Sequence, residues 1–114
     1  MTKLHGMHNE IPARILEELG GEKFLNKWSV TFAGGEQRDH VMGTSDGFEY
    51  TSRVGLHFYK ADSGGRDYLN ILVSEHGDYR LEFMSRNRQS KKDVFIRAKS
   101  LVDVPNLIAE YIFD

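Results

Sequence analysis

Tyr68-Leu69-Asn70-Ile71-Leu72-Val73-Ser74 is the most apolar run in the chain, and its length suits a strand rather than a helix. Such a run predicts the centre of a sheet. After it, His76-Gly77-Asp78 turns the chain, and Tyr79, Leu81 and Phe83 then alternate with Arg80, Glu82 and Met84. Before it, Val54, Leu56 and Phe58 alternate with Gly55, His57 and Tyr59, and residues 61–65 read as the turn. Connections this short join antiparallel neighbours, because parallel pairing needs a long crossover. The three strands therefore form an antiparallel meander. Val94, Ile96 and Ala98, alternating with Phe95, Arg97 and Lys99, add a fourth. The polar, basic residues 85–92 between them are a hairpin loop or an extension of both neighbouring strands.

Upstream, Trp28, Val30 and Phe32 alternate with Ser29 and Thr31, which predicts a strand ended by Gly34-Gly35. Residues 38–44, with the short apolar island Val41-Met42, read as an edge strand or a loop. Asp46-Gly47 signals a turn before residues 48–51. A helix is predicted over residues 9–19: Asn9 caps it, Glu10 sits in the positive first turn, and Pro12 falls where a missing N–H costs no helical bond. Ile11, Ile15, Leu16 and Leu19 give it one buried face, and Gly20-Gly21 ends it. Residues 22–27 read as one further helical turn with Phe24 and Leu25 inward. The last element is a helix capped by Asp103 with Pro105 in its first turn, and Val104, Leu107, Ile108, Tyr111 and Ile112 form its apolar stripe.

The fold class that follows is α+β. N- and C-terminal helices pack on one face of a four- or five-stranded antiparallel sheet, burying both stripes and the inner face. The other face then carries His57, Tyr59, Asn70, Ser74, Arg80, Glu82, Arg97 and Lys99. Residues 1–114 form a single domain, with residues 1–8 expected to be a flexible tail. The secondary structure of residues 35–47 stays open.

Composition narrows the function. A 39% hydrophobic and 28% charged chain of 114 residues is an ordinary globular domain, large enough to fold without disulfides or a structural metal. With no cysteine, a thiolate zinc site and a cysteine nucleophile are excluded. Residues 1–10 lack the apolar segment of a signal peptide, and no stretch approaches the roughly 18 apolar residues of a membrane span. The cytoplasm is the expected compartment, with no membrane partner. The net charge of −2 is unevenly spread: residues 86–99 carry Arg86, Arg88, Lys91, Lys92, Arg97 and Lys99 against Asp93, so a strip of +5 sits on a body of −7.

The stretch Ile15-Leu-Glu-Glu-Leu-Gly-Gly-Glu-Lys-Phe24-Leu25 resembles the opening of a family of small bacteriophage and prophage proteins. The segment Asp78-Tyr79-Arg80-Leu81-Glu82-Phe83 and the terminal Ile112-Phe113 are similar to later pieces of that family. Asn26-Lys27-Trp28-Ser29 departs from its more usual Met-Thr-Gly-Ala-type turn. The resemblance implies a phage-associated, intracellular protein and carries over no catalytic residue.

Candidate chemistry is sparse. His5 and His8 lie on the tail, and His40, His57 and His76 sit on separate elements, so no metal site is expected. No glycine-framed serine elbow is present, and Glu17-Glu18 and the pair Glu36 and Asp39 read as solvated surface. Gly20-Gly21, Gly34-Gly35 and Gly64-Gly65 are turns and caps, since none opens a Lys-Ser/Thr phosphate loop. No enzyme activity and no cofactor are expected. The binding candidates are Arg86, Arg88, Lys91, Lys92, Arg97 and Lys99 for phosphates, with Tyr59, Tyr79 or Tyr68 as stacking platforms. The bland alternative is a charged hairpin that keeps an edge soluble. Trp28, Phe48, Tyr50, Tyr59 and Arg53 are candidate anchors for a protein partner, Trp28 and Phe48 reading more readily as core. The reading that follows is a non-enzymatic, phage- or prophage-encoded protein that binds and modulates a host protein, for example a defence system such as CRISPR–Cas. Nucleic acid binding through the basic strip is the alternative. A homodimer through a strand edge near Val41 or Val94 is also permitted.

Overall fold

The computed structural model describes residues 2–43, 49–59, 65–85 and 93–113, with the side chains of residues 39–43 left aside. It shows an α+β domain built on a six-stranded mixed sheet in which spatial order follows chain order. The strands are β1 (Lys3–His5), β2 (Val30–Gly43), β3 (Glu49–Phe58), β4 (Tyr68–Ser74), β5 (Tyr79–Met84) and β6 (Val94–Ala98). The helices are α1 (Glu10–Leu19), α2 (Glu22–Lys27) and α3 (Val104–Ile108), the last continued by a π-helical turn, Ala109–Phe113.

The meander from β3 to β6 is antiparallel throughout, as the short connections require. β4 lies inside the sheet, between β3 and β5. One parity of the sheet forms the core. Ala33, Leu56, Leu69, Phe83 and Val94 make one cross-strand row, and Val54, Ile71, Leu81 and Ile96 make the next. Ile15 from α1, Phe24 and Leu25 from α2, and Val104, Ile108 and Ile112 from the last helix complete the same cluster. Each such apolar side chain contributes about 1.5–3 kcal/mol on leaving water.

Three expectations need correction. The sheet has six strands rather than four or five, and it is mixed, because Lys3–His5 pairs parallel to β2. Three helical segments cover it, the expected further turn at residues 22–27 forming α2. The N-terminal segment expected to be a flexible tail contains β1 and ends on Met7, which is buried in the core cluster. Finally, Gly34-Gly35 does not end a strand: β2 runs on to Gly43, with Gly34 opposite Gly55 and Gly35 opposite Val54.

Local details explain the shifts. Trp28 follows α2 instead of lying in a strand, and Ser29 adopts φ 53°. The register then shifts between Val30 and Phe32, so both cannot face the core: Val30 is buried in it, and Phe32 turns to the opposite face. Asn9 makes no side-chain cap. It donates to the Gly6 carbonyl, while the free N–H of Ile11 is taken by Gln37 Oε1 of β2 at 2.9 Å. Asp103 likewise makes no side-chain cap. The predicted Asp46-Gly47 turn, the turn at 61–64 and the loop tip at 86–92 lie outside the described residues.

Candidate functional site

The sheet face turned away from the helices is organised as three cross-strand rows. Phe32, His57 and Tyr68 form the first, Gly34, Gly55, Asn70, Glu82 and Phe95 the second, and Glu36, Arg53, Leu72, Arg80 and Arg97 the third. In the first row the His57 ring lies 5.0 Å from that of Phe32 and 4.7 Å, edge-on, from that of Tyr68. Aromatic rings at these separations attract one another beyond their buried area.

The second row begins with two glycines, and they line a cleft of about 260 Å3. Gly34 and Gly55 are its floor. A Cβ on Gly55 would stand 2.8 Å from the Tyr68 hydroxyl oxygen, and one on Gly34 would stand 2.9 Å from the Phe32 ring. The bare backbone thus lets both rings fold over the sheet, leaving an aromatic wall beside the cleft. Glu36 and Arg53 close the third-row side, and His5, in register with Gly34, lines the β1 end. The Glu36 carboxylate accepts from Arg38 Nε and, at 3.0 Å, from Arg53 Nη2.

A polar chain continues from the cleft along the sheet. The Tyr68 hydroxyl faces Asn70 Oδ1 at a long 3.4 Å. Asn70 Nδ2 donates to Glu82 Oε1 and Arg80 Nε donates to Glu82 Oε2, both at 2.9 Å. The Arg80 guanidinium lies over the Phe95 ring, 4.6 Å from its centre. Burial pushes the Tyr68 hydroxyl above its ordinary value of 10.0, the nearby Arg53 charge opposes this, and the Glu82 charge reinforces it. Tyr68 is therefore a neutral hydrogen-bonding group at physiological pH rather than a proton acceptor.

The basic strip is only partly visible. Arg86, Arg88, Lys91 and Lys92 lie outside the described residues. Arg97 and Lys99 both turn to Asp78, at 3.9 Å and 3.0 Å. The Lys99 hydrogen bond holds the Asp78 carboxyl below its ordinary value of 3.8. Desolvation works the other way, and the charges of Lys99, Arg97 and His76 add to the lowering.

Of the tyrosines, Tyr59 is 58% exposed at the end of β3, where its N–H donates to the Ser29 carbonyl. Tyr79 points to the helix face, in register with Val73 and Ala98, packed against the core. Burial raises its hydroxyl, followed by the charge of Glu18, against Arg14. It is thus turned away from Arg97 and offers no platform beside the strip. Tyr68 occupies the outer face. Of the proposed anchors, Tyr50 is buried, Trp28 stacks on Phe113 at 5.9 Å, and Phe48 is outside the described residues. Arg53 alone of that group lines the cleft.

Two residues central to the site, Phe32 and Gly34, were assigned by sequence to core and turn. Their signal was present at Gly55, a glycine in the middle of an otherwise regular alternation, which marks close approach to the backbone. A second, apolar hollow of about 580 Å3 lies between β1, α1 and α2, lined by Leu4, Met7, Ala13 and Leu16. Among the described residues, no group of three or more His, Asp or Glu is placed to hold a metal, and no helix is long and apolar enough to cross a membrane. Compared with known protein families, curated proteins and solved structures, the chain matches none.

Proposed function

We propose that this chain is a non-enzymatic binding protein that works through the sheet face opposite its helices. On this reading it is phage- or prophage-encoded, acts in the host cytoplasm and modulates a host protein, a defence system such as CRISPR–Cas being the kind of target that suits it. The observation that carries the choice of a protein partner over nucleic acid is the state of five described cations, Arg38, Arg53, Arg80, Arg97 and Lys99. Arg38 and Arg53 share Glu36, Arg80 is bound to Glu82, and Arg97 and Lys99 share Asp78. Phosphate-backbone binding draws on cations whose counterions are released on contact. Cations already held by carboxylates serve that purpose poorly, whereas ion-paired arginines among rings are common at protein interfaces. The resemblance of the α1 end and of the Asp78–Phe83 segment to small phage proteins supports the setting.

The alternative, nucleic acid binding, rests on the basic strip of residues 86–99, of which Arg97 and Lys99 are among the described residues. The test is capture of host partners by tagged protein from bacterial lysate, half of it treated with nuclease, followed by rebinding of purified components. The expected outcome is one host protein bound stoichiometrically after nuclease, with affinity changing little between about 50 and 200 mM salt. A partner lost to nuclease, or an affinity falling about a thousandfold over that range, sinks the reading in favour of nucleic acid.

A further inference from the structure

We infer that β6 is a self-association edge: two copies of the chain join antiparallel, β6 to β6 about a twofold axis at Ile96, into one continuous sheet. This goes beyond the binding reading above and stands or falls independently of it.

Three observations carry it. The first is the open edge. Among the described residues β6 pairs with β5 alone, so one side of its backbone carries N–H and C=O groups with no strand partner there. The ladder to β5 has no register shift and Val94-Phe95-Ile96-Arg97-Ala98 holds no proline, so neither a bulge nor a missing donor blunts the edge. β1, the opposite edge, is only three residues long. The second is apolar surface on both faces of this one strand. Val94 and Ile96 lie on the helix side yet are only half-buried, whereas their β5 partners Phe83 and Leu81 are fully buried. On the other face Phe95 is 52% exposed, although the Arg80 guanidinium lies over its ring. A neighbouring strand covers both sets. The third is self-complementarity, which selects a second copy over a foreign strand. The twofold at Ile96 sets Val94 against Ala98, Phe95 against Arg97 and Ile96 against its own copy, with Asp93 against Lys99 just beyond the strand. All five residues pair, both helix layers stay on one side of the joined sheet, and no like charges meet. The Phe95–Arg97 match repeats the contact that Phe95 already makes with Arg80. The Lys99–Asp78 pair is exposed and worth little in water, so it does not hold Lys99 from Asp93 of the second copy. A parallel copy in register would instead set Arg97 on Arg97. Five residues a side is far fewer than the about 20–30 of a stable interface, so this dimer exchanges with monomer.

Sedimentation velocity of the full chain tests it, from about 10 μM to about 1 mM, the range of transient complexes. The sedimentation coefficient should rise with concentration toward that of a dimer and no further. Ile96→Lys and Ile96→Glu each bring like charges together on the axis and should each weaken association about tenfold or more. An equimolar mixture of the two variants should restore it, a result that loss of structure cannot imitate. A second measurement needs no charge. The chain has no cysteine, so Ile96→Cys carries a single thiol. Mild oxidation should link it into a dimer faster than Val102→Cys, whose position is 77% exposed and away from the axis. A chain that stays monomeric to about 1 mM overturns the proposal. So does assembly that grows past the dimer, a mixture of the charged variants that stays monomeric, or Val102→Cys linking as fast as Ile96→Cys.

Discussion

Asn70 and Glu82 face each other across the β4–β5 ladder and share a 2.9 Å hydrogen bond, and the second oxygen of that same carboxylate binds Arg80 at 2.9 Å. Glu82 therefore bridges two strands and two rows. Its side chain is 14% exposed and that of Arg80 9% exposed, so the pair is mostly withdrawn from water on a face that antiparallel sheets usually leave solvated.

Removing that bridge should be costly. Glu82→Ala takes away the acceptor of both a buried amide and a mostly buried guanidinium, and the expected loss is about 2–4 kcal/mol. Glu82→Gln keeps one carbonyl acceptor and should lose less. Urea unfolding of the two variants checks the order. Equal stabilities of the two variants would mean that neither the packing nor the acceptor that Gln retains contributes measurably.

Ser52 presents the opposite case. It lies on the inner face, between Gln37 and Val73 in register, is fully buried, and its Oγ has no hydrogen-bond partner among the described residues. A hydroxyl desolvated without a partner costs stability. Ser52→Ala should leave the fold unchanged and raise stability by up to about 1–2 kcal/mol. A clear fall in the thermal midpoint would show that the hydroxyl is satisfied in solution.

Asp78 gives a pH signature. Its carboxyl is held below 3.8 in the folded chain, first by the Lys99 hydrogen bond. A depressed folded value means stability that is fully present above the unfolded value and is lost as pH falls through the folded one. Asp78→Asn should therefore lower the midpoint at pH 5 to 7, with the difference from the parent closing below about pH 3.8. The pair is exposed, with Lys99 at 87%, so added salt should shrink the difference too. A difference that persists unchanged in acid would assign the effect to something other than this charge.

How far the fold could be read from sequence follows the range of the forces involved. The inward sets Val54, Leu56, Phe58 and Leu81, Phe83 obey a period of two, and burial on one face enforces that period locally. His57, Asn70, Arg80, Glu82 and Arg97 followed onto the outer face for the same reason. What escaped was decided by distant neighbours. Gly34 and Gly35 look like a turn, yet each is glycine because something from elsewhere crowds it: the Phe32 ring over one, Pro12 and Met7 against the other. Phe32 changed faces through a register shift that no alternation records. β1 is three exposed residues with no pattern at all, held by pairing to β2. The cleft combines all three surprises, so only its Arg53, His57 and Tyr68 sides were legible.

The docking of β1 makes the sharpest stability prediction, because it depends on two backbones in close approach. Gly6 follows β1 with φ 71°, and a Cβ there would stand 2.1 Å from the Gly35 carbonyl oxygen. Neither part of that contact is a flexible side chain, so no rotamer change relieves it. Gly35 is confined in turn, with Pro12 Cβ at 2.6 Å and the Gly6 carbonyl at 2.7 Å from its own Cβ position. Left-handed backbone costs an alanine roughly 1–2 kcal/mol before the clash is counted. Gly6→Ala should therefore destabilise the protein by more than about 2 kcal/mol, or else release residues 3–5 from the sheet. Hydrogen exchange separates these outcomes. Release appears as lost protection at β1 and at Phe32 to Gly34, with β4 and β5 unchanged, while global destabilisation lowers protection throughout. A Gly6→Ala variant with full stability and full β1 protection would show that Gly6 does not approach the Gly35 carbonyl this closely in solution.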